Sequence, residues 1–193
     1  MARHGGPIAG VDEAGRGPWA GPVVAAAVIL DFGRLPAGLD DSKKLEPSNR
    51  DRLHDEIFQT AVAVGAGIAD VARIDRDNIL QATLWAMAQA CAALSEPPAA
   101  ALIDGNRCPA LPCPAQALIG GDALSLSISA ASIVAKVTRD RMMAELALAH
   151  PAYGWERNKG YGTREHAQAL ARFGVSEHHR RSFKPVQARM AAS

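Results

Sequence analysis

Aromatic side chains make up only 5% of this 193-residue chain, and cysteine occurs three times, at Cys91, Cys108 and Cys113. So few cysteines, odd in number, exclude a disulfide-stapled scaffold and suit a reducing cytoplasmic setting. Cys108 and Cys113 flank a proline-containing stretch with no further soft ligands beside them, so a zinc ribbon is excluded as well. The first residues lack the apolar core of a signal peptide. The longest apolar run, Val23 to Leu30, is far too short to cross a bilayer. No membrane association is expected. Charge of one sign is also lacking: the net charge is +1, so the chain as a whole is not a polycation.

The charge that is present is unevenly placed. Arg157 to Arg189 carries eight Lys/Arg against two Glu, whereas the remainder carries 13 Lys/Arg against 18 Asp/Glu. Such asymmetry suggests one face for an anionic partner and another rich in carboxylates. With 48% hydrophobic residues and abundant alanine, the chain can bury an aliphatic core, and its length fits one domain over residues 1–193.

Short apolar runs predict strands ending at Asp12, over Val23–Leu30, over Ala61–Ile68, over Ala99–Ile103 and over Ala115–Ile119. Pro47 and Ser48 look like a helix start, with Ser48 as cap. Leu80, Leu84, Met87, Cys91 and Leu94 mark an amphipathic helix capped by Asp75 or Asp77. A long helix is expected from about Ser125 to Ala149, stopped by Pro151, and a last one from near Thr163 to Phe173. The order predicts a mixed five-stranded α/β sheet flanked by helices, with a small helical extension over about 151–193.

In open α/β sheets, functional groups gather at the carboxyl ends of strands. Asp12-Glu13 and Asp104 follow strands directly, and Asp122 follows Gly120-Gly121. Glycine beside each acid lets a ligand approach closely. Converging carboxylates repel, so a cation between them keeps them ionised. Hard oxygen ligands with no histidine nearby in sequence favour Mg²⁺ or Mn²⁺ over zinc. On this pattern alone, a magnesium-type site and a chance arrangement stand level. Two such ions roughly 3.5–4 Å apart would clamp the attacking water and leaving oxygen of a phosphodiester.

Asp12-Glu13-Ala14-Gly15-Arg16-Gly17-Pro18 resembles the opening signature of type 2 ribonuclease H (ribonuclease HII). Asp41-Ser42-Lys43-Lys44-Leu45, Ile103-Asp104-Gly105, and Gly121-Asp122 followed by Ser129 through Asp140 are similar to later blocks of the family. Lys159-Gly160-Tyr161-Gly162-Thr163 and His178-His179-Arg180-Arg181-Ser182-Phe183 resemble the closing ones. The likeness runs from Ile8 to about Val186 in the family's order.

The resemblance implies an RNase H-like fold in which Asp12, Glu13 and Asp104 are central metal ligands and Asp122 completes a second position. It implies hydrolysis of the RNA strand of RNA–DNA hybrids and incision at ribonucleotides embedded in duplex DNA, leaving 3′-hydroxyl and 5′-phosphate ends. Gly15-Arg16-Gly17 would contact the ribose 2′-hydroxyl, which distinguishes RNA from DNA. Tyr161 would stack on the adjoining sugar at an RNA–DNA junction, and Lys43 and Lys44 would meet backbone phosphates.

Lys136 and Asp140 are spaced for a helical ion pair, Ser129 and Ser132 for tight packing, and Trp85 and Met87 for the core. His178 and His179 would be ligands only if the tail returned to the acids. Asn158 departs from the histidine common in the family, which would alter a substrate contact or the pH response. The chain is expected to act as a monomer. Competing readings are a type 3 ribonuclease H, against which the early position of the first motif speaks, another nuclease or resolvase of the same superfold, and a non-catalytic hybrid-binding protein.

Overall fold

The computed structural model describes residues 5–39 and 46–192. The block Asp41 to Leu45, with Lys43 and Lys44, lies outside the described residues. Five strands form one sheet: β1 (Ile8–Ala14), β2 (Val23–Ile29), β3 (Ala63–Ala69), β4 (Ala100–Asp104) and β5 (Ala115–Leu118), in the order β3-β2-β1-β4-β5. β1 is central, antiparallel to β2 and parallel to β4, while β3 extends the antiparallel side and β5 the parallel side. The mixed sheet expected from the sequence is the one observed.

All seven residues of β2 are buried, which is why it reads as a continuous apolar run. One face of the sheet, carrying Val11, Val23, Ala25, Ala27 and Ile103, packs on Ala82, Ala86, Met87, Ala90 and Cys91. These come from α3 (Ile79–Ala92), which follows α1 (Pro47–Thr60) and the short α2 (Val71–Asp77). The opposite face, with Ala26, Val28 and Leu30, packs on Leu53 and Ile57 of α1 and on Ala130 to Val137. The latter belong to α5 (Leu126–Ala149), preceded by the four-residue α4 (Gly121–Leu124). Truncating Leu53 or Ile57 to alanine would cost about 2–5 kcal/mol.

Alternation along β1 turns Val11 toward α3 and therefore Gly10 and Asp12 toward α5. A Cβ at Gly10 would stand 2.1 Å from the Ser127 backbone, so only glycine lets α5 lie directly on β1. That close approach sets the depth at which α5 meets the carboxyl end of the strand.

Two helix starts differ from expectation. Pro47 occupies the first position of α1, Glu46 precedes it with no side-chain cap, and Ser48 sits inside the first turn. Proline's fixed φ starts the helix early, and its missing N–H needs no cap. α3 is capped by neither Asp75 nor Asp77 but by Asn78, whose Oδ1 accepts from Leu80 and Gln81 N–H at 3.0 and 3.1 Å. With φ of 69°, Asn78 breaks what would be one helix into α2 and α3. Asp75 instead accepts from Arg181 N–H, Ser182 N–H and the Ser182 hydroxyl, and Asp77 pairs with Arg73 and Arg76.

After a 3-10 turn at Pro151–Tyr153 come α6 (Trp155–Asn158), α7 (Arg164–Phe173) and α8 (Lys184–Ala191). Between α7 and α8 the chain runs back as a strap over the loop after β1: Gly21 N–H donates to His178 O at 2.9 Å and Arg180 N–H to Trp19 O at 2.8 Å. Among the described residues, no helix is long and apolar enough to cross a membrane.

Candidate active site

β1 and β4 run in parallel with Val11 opposite Ile103, so Asp12 and Asp104 leave adjacent strand ends in step. Both follow a residue that points to α3 and hence project to the α5 side, while Glu13 falls on the α3 side of the same edge. Asp12, Glu13 and Asp104 line one cleft of ≈ 280 Å³ together with Gly15, Arg16, Gly17, Ser132, Lys136, Arg139 and Tyr161. Seven of the candidate site residues read from the sequence, Asp12, Glu13, Gly15, Arg16, Gly17, Asp104 and Tyr161, therefore meet at one place.

Asp122 is set behind them. Gly121 N–H donates to Asp104 Oδ1 at 2.7 Å, which fixes the start of α4 against the Asp104 carboxylate. Asp122, the next residue, is buried, and one of its oxygens accepts from Ala123 N–H at 3.0 Å. It does not itself line the cleft. Among the described residues, no three of these acids bring oxygens within 4.8 Å of one another.

Burial raises the Asp12 carboxyl well above the usual carboxylate range, and the charges of Glu13 and Asp104 push the same way. The Ser132 hydroxyl, donating to Asp12, and the Glu13 backbone N–H at 2.7 Å pull it back. Burial likewise raises Glu13, opposed by the Arg16 guanidinium 3.4 Å from its Oε1. Glu13 Oε2 is buried and has no hydrogen-bond partner among the described residues. An orphaned anionic oxygen beside two further carboxylates is costly unless a cation meets it. This donor set, all hard oxygens, fits a divalent cation.

Ser132 was expected only to pack; its hydrogen bond to Asp12 makes it part of the site. Spacing alone gives no sign of this, because it depends on how deep Gly10 lets α5 settle. Lys136 forms the expected ion pair with Asp140 at 2.7 Å.

Two buried arginines hold the Gly15–Gly17 turn and the segment that follows it. Arg180 donates to the carbonyls of Gly15, Arg16, Gly21 and Pro22 at 2.6 to 3.1 Å. Arg139 donates to those of Pro22, Ala20 and Lys159 at 2.9 to 3.2 Å. Gly15 has φ of 99°, and a Cβ there would strike Arg139 Nε at 2.0 Å, so the turn and its clamp both require glycine. Because the peptides are trans, carbonyls of Gly15 and Arg16 aimed at Arg180 turn the N–H groups of Arg16 and Gly17 away from it.

Tyr161 is about half exposed at 45%, and its ring edge passes over Gly17. Its carbonyl accepts from His166 Nδ1 at 2.9 Å. That bond makes Nδ1 the protonated nitrogen of a neutral imidazole, leaving Nε2 to accept from Trp155 Nε1 at 3.2 Å and from His179 Nε2 at 3.1 Å. His179 Nδ1 then accepts from Ser176 N–H at 3.0 Å. Burial lowers the pKa of both rings, that of His179 to about 3, with His166 adding to the effect there. His179 is thus a buried support for the Tyr161 loop and not a partner of the acids. Asn158 is also structural: it donates to Tyr153 O and accepts from Gly160 N–H, each at 2.8 Å, so both ends of its amide are engaged inside the protein. Asn158 thereby braces the loop that carries Lys159 to Tyr161.

The part of the chain that builds this cleft matches a known family. The model of ribonuclease HII covers residues 9–186. The chain belongs to the ribonuclease HII family. It is 61% identical to the ribonuclease HII of Paramagnetospirillum magneticum over 186 residues, 94% of this chain and 92% of that one. It is 63% identical to that of Rhizorhabdus wittichii over 183 residues, 95% and 90% of the two chains. The crystal structure of ribonuclease H2 from Pyrococcus horikoshii OT3 superposes with a TM-score of 0.80 at 24% identity, over 96% of this chain and 98% of that one, a likeness of fold. Membership of the type 2 family sets aside the type 3 reading.

Proposed function

We propose that this ribonuclease HII family member hydrolyses the RNA strand of RNA–DNA hybrids and incises duplex DNA at embedded ribonucleotides. It does so as a cytoplasmic monomer, leaving 3′-hydroxyl and 5′-phosphate ends. The observation that carries this reading is the convergence of Asp12, Glu13 and Asp104 with the Gly15–Gly17 turn and Tyr161 on one cleft. A hydrolytic centre and a ribose-reading surface are then neighbours.

Asp12, Glu13 and Asp104 would hold Mg²⁺ or Mn²⁺, with Asp122 completing a second position behind Asp104. A divalent ion bound there supplies Lewis-acid stabilisation of charge on the scissile phosphate and lowers the pKa of the attacking water. The protein's own contribution is positional. Ser132 lowers the cost of ionising Asp12, Gly121 fixes Asp104, and the Arg139–Arg180 pair braces the turn and the segment after it. The outward N–H groups of Arg16 and Gly17 are donors for a ribose 2′-hydroxyl, which a deoxyribose lacks. Tyr161, half exposed above Gly17, offers its ring to the adjoining sugar.

Beside the cleft, and sharing Lys136 with it, lies a groove of ≈ 550 Å³ lined by Arg50, Lys136, Arg141, Arg157 and Lys159 against Asp51 and Asp140. Its basic excess suits a phosphate backbone. Lys43 and Lys44, just before α1, are assigned the same task.

The test is cleavage of three duplexes of one sequence: RNA–DNA, DNA with a single ribonucleotide, and DNA alone. Cutting of the first two and not the third is expected. Comparable cutting of all three would replace this reading with a general nuclease of the same superfold.

A further inference from the structure

Away from the acidic cleft, the end of α5 and the strap after α7 bring two imidazoles and a carboxylate together. His150 Nε2 lies 3.8 Å from Glu177 Oε1, and His178 Nε2 lies 3.7 Å from the same oxygen. One ligand atom from each of the three lies within 4.8 Å of the other two, a convergence that the acids of the cleft do not reach. The two rings are already braced. They stand edge to face at 4.9 Å between centroids, and each packs against the Trp155 ring, at 5.5 Å for His150 and 6.0 Å for His178. Their side chains are 25% and 30% exposed, and Glu177 is 75% exposed, so the group opens to solvent and an ion can enter. None of the three lines the acidic cleft.

We propose that His150, Glu177 and His178 form a second metal site, taking a transition ion of the Zn²⁺ type with one coordination position left for water. Two imidazole nitrogens and one carboxylate are a zinc-like donor set, whereas all-oxygen sites suit Mg²⁺ and Mn²⁺. Bonds of about 2.0–2.2 Å in a tetrahedral site place ligand atoms roughly 3.3 Å apart. The observed 3.7 and 3.8 Å to Glu177 need only a small movement of that exposed side chain, and the two imidazole nitrogens, within 4.8 Å of each other, close by turning their partly exposed rings.

Such a site has a structural consequence. His150 closes α5, while Glu177 and His178 sit on the strap whose next residues are His179 and Arg180. His178 O also receives Gly21 N–H. An ion here would staple α5 to the segment that supports both the Gly15–Gly17 turn and the Tyr161 loop. It would stabilise the strap without touching substrate.

This inference does not depend on the carboxylate reading, and calorimetric titration with Zn²⁺ in the absence of nucleic acid tests it. Four full-length proteins are compared: wild type, the double variant Asp12→Asn/Asp104→Asn, Glu177→Gln and His150→Gln. Wild type and the Asp variant should each bind one Zn²⁺ at this site and gain thermal stability from it. Glu177→Gln and His150→Gln should bind it at least about tenfold more weakly and lose that gain. Glu177 is mostly exposed, so its replacement tests the site even if His150→Gln fails to fold, which melting in EDTA reveals. Zinc affinity unchanged in Glu177→Gln, or lost only in the Asp variant, would overturn the proposal. So would a wild-type protein that binds no Zn²⁺, which would make the cluster an ion pair only.

Discussion

Arg180 Nη2 donates to the carbonyl oxygen of Gly15 at 2.6 Å, although 165 residues separate them in sequence. The tail of the chain thus holds the turn beside the acids, and its buried arginine serves the backbone of its own protein. Burial and the nearby Arg139 charge bring the Arg180 guanidinium down to about 9, still cationic at neutral pH.

Arg180→Lys should therefore not be conservative. A single ammonium cannot reproduce a planar fork that meets four carbonyls, and buried carbonyls left unpaired are costly. A loss of about 3 kcal/mol is expected in urea denaturation, with cleavage of ribose-containing duplexes falling alongside. A variant with the wild-type urea midpoint and full activity would reduce the clamp to an ornament of the crossing.

Ser132→Ala removes the hydroxyl that pulls the Asp12 carboxyl down, so that carboxyl should rise further. Protons then compete better with the divalent ion, and the acid limb of the kcat/KM profile should move to higher pH. At the acid end the loss should be about tenfold, the worth of one hydrogen bond to a charged group. An acid limb that stays in place would leave Ser132 with packing alone.

Stability should fall on acidification through His179. Its folded pKa is pulled down to about 3, whereas in the unfolded chain it takes a proton near the ordinary value of about 6.5. The stabilisation is complete above about pH 6.5 and is lost as pH drops toward 3. Asp12 has the opposite sign, since its raised carboxyl makes ionisation costly as pH rises. Melting in EDTA between pH 7.5 and 5 should show a steeper decline for wild type than for His179→Gln. Identical slopes would remove His179 from the account.

Tyr161→Ala should harm incision at a single ribonucleotide more than cleavage of a continuous hybrid, because only the former depends on one junction. Rates on the two substrates, measured side by side, decide this. An equal loss on both would speak against junction sensing.

Much of this was legible in the sequence, and for physical reasons. Strands that end in an acid announce themselves by a short apolar run followed by a charge, as at Val11-Asp12 and Ile103-Asp104. The long α5 runs over Leu126–Ala149, close to the span expected from about Ser125 to the breaker Pro151. What escaped is what depends on distant partners. The bracing roles of Arg139, Arg180 and His179 leave no mark in the sequence, because their carbonyl and imidazole partners come from loops far away in the chain. The four-residue α4 that carries Asp122 is too short to show a helical period. That Asn158 braces its loop is likewise visible only in the fold, where Tyr153 O and Gly160 N–H occupy its amide.

The central claim is that the carboxylates around Asp12 and Asp104 hold the ion that enables phosphodiester cleavage. The most direct measurement is incision of a duplex with one ribonucleotide by wild type, Asp12→Asn and Asp104→Asn, with Mg²⁺, Mn²⁺ or EDTA. Wild type should nick with either ion, leave 3′-hydroxyl and 5′-phosphate ends and stop in EDTA. Both variants should stay folded, still bind the duplex and cut nothing. Full activity in either variant, or a folded wild type inert with both ions, would contradict the account.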